Sequence, residues 1–374
     1  MKKLIFRNIF KDITYFFLLC SLSITLIVWV IQSVNFLDFV TEDGHGLGVY
    51  ATYSLLSLPK IFSRLTLFIF FVSTFFVLFR YEENNEISIF WSHGVKKIEF
   101  INNFIKFSFI FVIIQLIFSY FIVPASQEKA RNLFKNSNID YFPSILKSKF
   151  FNDAIEDVTI FIGEKDLNGN LQHIFLMDNK KNKIGSQIIL SKSGKLLKKN
   201  NNFFLILKNG NIINLNSKKS NILQFNKSEF NLSKYTTKTT TYPKIQETSS
   251  YKLIKCLNLL ISKKSKQDKI KILNCDQENI EGIKKEIYKR LGVPLYIFLI
   301  GLISCSLILK SKSSRNFNFF TLIIFALGFS AIILSEVSVQ FISSDILNNF
   351  ILTLSPIIIA LFLYTLIRIN LKFG

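Results

Sequence analysis

Long apolar runs are the feature that most constrains how this chain folds. About 20 apolar residues are needed to cross the hydrocarbon core of a bilayer, and Ile13–Leu37 exceeds that length without a charged residue. Similar runs recur along the chain, so it is predicted to be an α-helical integral membrane protein with six transmembrane helices. The later predicted spans are Tyr53–Phe79, Ile101–Val123, Leu291–Leu309, Phe319–Phe341 and Phe350–Ile367.

The charges that flank these runs predict the orientation of the helices. Short cytoplasmic loops carry an excess of Lys and Arg, and basic residues occur before the first run, after the fourth and after the sixth. The loop Asp38–Gly48 contains acidic residues but neither Lys nor Arg. Both termini are therefore predicted to be cytosolic, and this loop is predicted to be external.

The segment between the third and fourth runs has a different pattern. Its short stretches rich in β-branched and aromatic residues predict about seven strands, in an antiparallel sandwich or open jelly roll. Asn168–Gly169 and Asn209–Gly210 are each flanked by two such stretches, which predicts a hairpin at each dipeptide. The predicted strands are Val158–Glu164, Gln172–Met177, Gln187–Leu190, Phe203–Lys208, Asn211–Asn216, Ile222–Phe225 and Glu229–Leu232.

These patterns divide the chain into three parts. Transmembrane helices 1–3 are predicted within residues 1–123, and transmembrane helices 4–6 within residues 290–374. Residues 124–289 are predicted to form an inserted periplasmic all-β domain of jelly-roll type. A helical connector, Tyr251–Ile261 and Gln277–Arg290, leads from that domain into the fourth span.

The net charge of +21 does not by itself indicate a nucleic-acid partner. The basic residues of the inserted domain are spread thinly along it, which is more typical of a solvated surface than of a groove for a polyanion. We therefore expect no nucleic acid as a partner. A phosphorylated glycolipid would suit such a surface and stays open as a ligand.

Motifs for catalysis or cofactor binding are missing from the sequence. The glycine-rich stretch Gly44–Gly48 lacks the Lys and Ser/Thr that complete a phosphate loop, and the three histidines fall on different parts of the predicted topology. The four cysteines have no metal-ligand spacing, although Cys256 and Cys275 share the inserted domain and could form a disulfide. We expect no enzymatic activity, no metal and no cofactor.

The polar segment Arg80–Phe100 separates the second and third runs and is predicted to be cytosolic. Residues 84–94 are expected to form a short amphipathic helix, with acidic residues at its start and a glycine at its end. One interpretation places this helix in the lipid headgroup layer, with its aromatic pair as an anchor. The other is a coupling helix held by a cytosolic partner through Glu86, Ile87, Phe90, Trp91 and Gly94.

Ionisable residues inside apolar runs are costly and mark candidate functional sites. Arg64 and Lys60 lie near the outer end of the second span, and Glu336 lies near the outer end of the fifth. Arg64 and Glu336 are either a structural ion pair or part of a substrate cavity in which Lys60 and Arg64 contact lipid phosphates. Gln32, in the first span, is the remaining candidate for this cavity.

Several short motifs occur in a fixed order over nearly the whole chain. They are Ser57–Lys60, Glu86 with Gly94, Val123–Pro124, Gln127–Arg131 and Glu286–Leu295. In their order and spacing they resemble the lipopolysaccharide-export ABC transporter permeases of the LptF/LptG type. The first span has no basic residue, which together with the last motif favours the LptF-type subunit.

The resemblance implies a permease subunit of an ATP-driven exporter that extracts lipopolysaccharide from the outer leaflet of the inner membrane and passes it to a periplasmic β-jelly-roll bridge. The implied partners are a cytosolic ATP-binding ABC subunit dimer, a related LptG-like permease in a heterodimer, and the bridge protein. The implied location is the inner membrane of a Gram-negative bacterium. The alternative is a membrane-anchored periplasmic binding or signalling module that transmits conformation to a cytosolic ATPase without transporting lipid.

Overall fold

The structure, a computed structural model, describes two compact units of the chain. One unit comprises Met1–Val30, Ser57–Glu128 and Lys244–Gly374, and the other comprises Ile31–Leu56 and Lys129–Pro243. The helical connector therefore packs, from Lys244 onward, with the membrane helices. The described residues are 2–37, 47–136, 148–155, 157–166, 169–179, 186–199, 202–215, 220–232, 244–261, 275, 279–343 and 345–373.

Six helices of the described chain are long and apolar enough to cross a membrane, which confirms the predicted number of spans. They extend beyond the apolar runs because the backbone hydrogen bonds of a helix continue into polar flanks. Most of the predicted external loop Asp38–Gly48 lies outside the described residues. The spans are Lys2–Phe36, Leu47–Glu83, Lys97–Leu133, Ile280–Leu309, Phe317–Ser338 and Leu347–Leu371.

Several of these spans are built from more than one helical segment. A π-helical turn, Phe118–Ile122, interrupts the third span, and 3₁₀ turns at Val293–Leu295 and Ser306–Leu309 flank the central helix of the fourth. The α-helices are α1 Lys2–Phe36, α2 Leu47–Glu83, α3 Ile87–Ser92, α4 Lys97–Ile117, α5 Val123–Asn136, α6 Ser250–Ile261, α7 Ile280–Leu291, α8 Tyr296–Cys305, α9 Phe317–Ser338 and α10 Ile346–Phe373.

The fourth span is the centre of the first unit, since 72% of its apolar window is buried. Small residues allow this close packing: a Cβ on Gly301 of α8 would collide with the Ser108 side chain of α4. The Thr74 hydroxyl of α2 donates to Ser304 Oγ of α8 over 3.1 Å. Close approach of helix backbones at small residues is a common way to pack spans in lipid.

In its described residues, the inserted segment forms one antiparallel sheet of six strands in consecutive order, which confirms the inserted β domain. Alternating apolar residues such as Ile160, Ile174 and Leu205 bury one face of this sheet. The strands are β1 Phe151–Ile155, β2 Val158–Lys165, β3 Asn170–Asp178, β4 Ser186–Lys199, β5 Asn202–Leu215 and β6 Ser220–Asn231. The first of these strands was not predicted from the sequence.

The hairpin predicted at Asn209–Gly210 is wrong. β5 runs through this dipeptide without a break, so two predicted strands are one. The same applies to β6, which unites the predicted strands Ile222–Phe225 and Glu229–Leu232. Long strands therefore replace the short ones, and their consecutive order is that of a meander.

A row of irregular residues crosses the sheet and explains this error. His173 and Asn209 both have positive φ, 53° and 52°, and the pairing register places them on either side of Lys192 of β4. Asn-Gly favours positive φ and therefore predicts a turn. Here the ladder resumes in the same register beyond the row, so the strands continue instead of reversing.

A disulfide joins Cys256, in the first connector helix, to Cys275, which lies five residues before the second begins. This bond settles a pairing that the sequence left open. Leu253, Leu260 and Ile283 form the small core around it. The remaining two cysteines, one in the first span and one in the fourth, are free thiols.

Candidate functional site

Several helices carry polar side chains to a similar depth, at the end of the bundle away from the basic loops. Arg64 lies 16 residues before Arg80 in α2, and Gln115 lies 18 residues after Lys97 in α4. At 1.5 Å per residue these separations are about 24 Å and 27 Å. Both are close to the ~30 Å thickness of a bilayer's hydrocarbon core, so the two side chains lie near its far boundary.

These side chains meet in a cavity of about 160 Å³ within the first unit. Three of the four cavity residues predicted from the sequence, Lys60, Arg64 and Glu336, are brought together in its lining. The fourth, Gln32, is not among the lining residues and stays a prediction. The other polar and charged lining residues are Ser63, Gln115, Ser119, Gln246, Glu286, Lys289, Arg290 and Ser335.

Positive charge predominates in this cavity. Arg64 and Glu336 are both exposed and make no ion pair, so the structural pair considered from the sequence is not formed. The second carboxylate, that of Glu286, accepts a hydrogen bond from Arg290 Nε over 2.9 Å. Lys60, Arg64 and Lys289 are therefore three cations in a lining whose remaining carboxylate is that of Glu336.

One buried acceptor in the lining has no partner. The side-chain amide of Gln115 donates to the Ser63 backbone oxygen over 2.7 Å and to Ser63 Oγ over 3.1 Å. Its Oε1 atom is buried without a hydrogen bond, and a buried acceptor of this kind costs about 1–3 kcal/mol. Gln115 thus offers an acceptor to a hydroxyl or amide donor in the cavity.

The wall of the cavity is organised by Arg290, a residue whose side chain is only 5% exposed. Its guanidinium donates to the backbone oxygens of Thr248 and Gln246 over 3.0 Å each and to Ser250 Oγ over 2.8 Å. Its own backbone oxygen accepts from Ser119 Oγ over 2.7 Å. Arg290 therefore holds the connector, the start of the fourth span and the third span together.

The π-helical turn of the third span is part of the same network. Ser119 lies in this turn, and the Tyr120 backbone oxygen accepts a hydrogen bond from Ser250 Oγ over 2.7 Å. Insertion of one residue into a helical turn shifts backbone groups out of the regular ladder, and such turns are frequent at functional sites. The shift lets the third span bond to both the connector and the fourth span.

Sequence reasoning gave no role to Gln115 or Arg290. Arg290 carries two signals that point to it, namely its position at the start of an apolar run and its i,i+4 spacing from Glu286. Gln115 is a polar residue inside an otherwise apolar span. Their shared position at the cavity depends on helix packing, which the linear pattern does not contain.

The second candidate site is the short helix α3. It is six residues long and ends in a Schellman motif: Gly94 has φ of +71°, its N–H bonds to the Trp91 oxygen, and the Val95 N–H bonds to the Phe90 oxygen. A glycine at this position is favoured because it tolerates positive φ without strain.

The predicted partner-facing side of α3 is in fact buried within this chain. Ile87 and Phe90 are each 1% exposed, and the Phe90 ring packs edge-on against Phe6 and Phe100. The helix is too short to be stable alone. It is stabilised by packing against the membrane helices of the same chain. Ile89, 46% exposed, is instead the apolar residue that faces outward.

The acidic residues before α3 also differ from expectation. Glu82 and Glu83 belong to the end of α2, and both bind Lys312 in the loop before α9. Glu82 Oε1 accepts from the Lys312 backbone N–H over 2.8 Å, and Glu83 forms an ion pair with Lys312 Nζ over 2.6 Å. Glu86 remains beside α3, where its carboxylate accepts from Asn84 Nδ2 over 3.0 Å.

Six apolar helices and an inserted antiparallel sheet define the described chain as a multi-pass membrane protein, with a charged cavity at one end of its helix bundle. The chain belongs to the lipopolysaccharide export system permease LptF/LptG family, whose sequence profile matches residues 7–370. Members of this family are transport permeases. The match does not distinguish the LptF type from the LptG type.

A similar protein is found in Rickettsia prowazekii (strain Madrid E). It is described as uncharacterized protein RP871 and is 22% identical to this chain over 338 residues. The similarity covers 87% of each chain.

Proposed function

We propose that this chain is one permease subunit of an ATP-driven exporter that extracts lipopolysaccharide from the outer leaflet of the inner membrane of a Gram-negative bacterium. Family membership supports a role in lipopolysaccharide export. At the level of residues, the observation that carries the proposal is the cavity in which Lys60, Arg64 and Lys289 outnumber the free carboxylate of Glu336.

The cavity is proposed to hold a phosphate-bearing part of the lipid headgroup. Its volume of about 160 Å³ is below the range of about 300–1,000 Å³ that is usual for small-molecule pockets, so it is too small for a whole multi-acyl lipid. Arg64 and Lys60 would pair with phosphate oxygens through charge-assisted hydrogen bonds. Gln115 Oε1 would accept from a hydroxyl or amide of the same headgroup.

The acyl chains would then lie against the outer surfaces of the spans. Only 22% of the apolar window is buried in α1 and in α9, and 17% in the last span. These faces are proposed to contact lipid and a related LptG-like permease, with this chain as the LptF-type subunit. The sheet would hand the lipid to a periplasmic bridge protein by pairing at a strand edge, which in the described sheet means β1 or β6.

ATP hydrolysis is proposed to act through α3. This helix would dock on a cytosolic ATP-binding subunit dimer through exposed Ile89 and through the carboxylate of Glu86, the half-buried residue just before the helix. Because Phe90 is packed in the hydrophobic core of the helix bundle, a displacement of α3 would be transmitted directly to α1 and α4. A flexible linker between α3 and the spans is not required for this transmission.

Variants with opposite charge effects test the cavity in the reconstituted complex. Arg64→Gln removes a cation and is expected to lower photocrosslinking of lipopolysaccharide, whereas Glu336→Gln removes the competing carboxylate and is expected to leave it equal or raise it. Arg368→Gln, an exposed change outside the cavity lining, is the matched control. Equal crosslinking in all variants would refute the cavity assignment, and assembly with the ATPase but no lipid crosslinks would favour the signalling module.

A further inference from the structure

A second, larger groove lies at the opposite end of the bundle. It has a volume of about 820 Å³ and is formed by the first turns of α1 and by α4. Its floor is aromatic: the rings of Phe10 and Phe107 stack with centroids 4.5 Å apart. The proposed export mechanism gives no role to the basic end of this groove.

Basic residues surround the groove at one end. Lys3, Arg7 and Lys11 are spaced four residues apart, which places them above one another on one face of α1, and Lys106 lies across from them on α4. All four are exposed, and none has an ion pair or hydrogen bond in the described part of the chain.

The negative charge in the lining does not neutralise these cations. The acidic lining residue is Glu99, and its carboxylate is paired with Lys2 Nζ over 3.2 Å. Four cations from two helices therefore face a common space with no acid opposite them. This arrangement is complementary to an anion.

The groove continues from its basic end into apolar surface. Tyr15, Leu18 and Ile110 line it further along the two helices and are 66%, 56% and 55% exposed. Leu18 lies 11 residues beyond Arg7, which is about 16 Å along a helix. A ligand that fills the groove must therefore be charged at one end and apolar along the other.

We propose that this groove binds an anionic glycerophospholipid of the cytosolic leaflet, with the headgroup phosphate between Arg7 and Lys106 and an acyl chain along Leu18 and Ile110. Basic pockets between spans on the cytosolic side are suited to anionic lipid headgroups. A soluble protein partner could reach the cations but not the apolar part, which lies at membrane depth.

The test is native mass spectrometry of the purified full-length chain titrated with phosphatidylglycerol or phosphatidylethanolamine. Near a membrane surface each Lys or Arg contributes about fivefold to binding of an anionic lipid. The double variant R7Q/K106Q is therefore expected to weaken phosphatidylglycerol binding about 25-fold. Phosphatidylethanolamine binding is expected to weaken much less, because the ammonium group of that lipid offsets the charge of its phosphate. Arg7→Lys, which keeps the charge, is expected to retain binding.

The matched control is K96Q/R315Q, which removes the same charge from exposed residues outside the groove lining and is expected to behave like the wild type. Glycerol 3-phosphate, which has the headgroup chemistry without acyl chains, is expected to compete weakly. The proposal is overturned if both double variants lose lipid equally, if R7Q/K106Q weakens the binding of both lipids by the same factor, or if R7Q/K106Q abolishes ATPase association but not lipid binding.

Discussion

Arg290 Nη1 donates a hydrogen bond to Ser250 Oγ over 2.8 Å, across 40 residues of sequence. Ser250 in turn donates to the Tyr120 backbone oxygen in the π-helical turn. A single buried guanidinium thus fixes the position of the connector against two spans at the cavity. Its removal would leave several acceptors without a donor.

We predict that Arg290→Leu destabilises the first unit by about 3 kcal/mol, because breaking a buried pair strands the carboxylate of Glu286. Thermal unfolding in detergent measures the loss, and faster proteolysis of residues 244–261 would localise it. The double variant with Glu286→Leu should recover part of the stability, since it removes the stranded charge. An unchanged melting temperature for Arg290→Leu would show that the network is dispensable.

We predict that the Cys256–Cys275 disulfide forms in the native protein. Alkylation of the denatured, non-reduced chain should label two thiols, those of Cys20 and Cys305, and reduction should expose all four cysteines. Cys275→Ser is expected to cost about 3 kcal/mol, because a closed loop of this size restricts the unfolded chain. Labelling of four thiols before reduction would contradict the pairing.

Gly210 is predicted to be required for the close approach of β5 to its neighbouring strands. A Cβ at this position would collide with the Leu190 backbone oxygen and with the Phe225 ring, and the oxygen cannot move without breaking the ladder between β4 and β5. We expect Gly210→Ala to destabilise the sheet by at least about 2 kcal/mol, as measured by proteolysis of the full-length chain. Gly48→Ala, whose Cβ meets nothing within 4 Å, is the control and should change stability little.

The two neighbouring apolar residues of α3 are predicted to have separate effects. Phe90→Ala removes a core side chain and should cost about 3–5 kcal/mol of stability. Ile89→Ala changes an exposed side chain, so its effect on unfolding should stay within about 0.5 kcal/mol, while association with the ATPase weakens. Thermal unfolding and co-purification of the ATPase distinguish these outcomes. Normal co-purification of Ile89→Ala would exclude this face as the docking surface.

Glu86 is predicted to act as an electrostatic latch to the ATPase. If the carboxylate only favoured its own helix, a contribution of about 0.3–1 kcal/mol, Glu86→Gln would be nearly silent. A desolvated pair with a partner Arg contributes more, so Glu86→Lys should uncouple ATP hydrolysis from lipid export. A compensating Arg→Glu change in the partner is expected to restore part of the coupling. Normal coupling in Glu86→Lys would show that Glu86 does not form this ion pair with the ATPase.

The sequence alone was sufficient for the number of spans and for the presence of an inserted β domain. Both depend on local sequence patterns. A membrane span needs about 20 consecutive apolar residues, and a half-buried strand has alternating apolar and polar residues. The same local reasoning failed at Asn209. An Asn-Gly dipeptide shows that positive φ is tolerated there, but the pairing with neighbouring strands decides whether the chain turns or continues as one strand.

Only the tertiary structure decided which faces are buried. An amphipathic pattern shows that α3 has an apolar side, but it cannot show that Phe6 and Phe100 already cover Phe90. Likewise, the opposite charges of Arg64 and Glu336 suggested an ion pair. The two residues lie on different helices, and the packing of these helices keeps them from forming it. Contacts between residues far apart in sequence depend on helix packing and rotation, and these are set by the whole core.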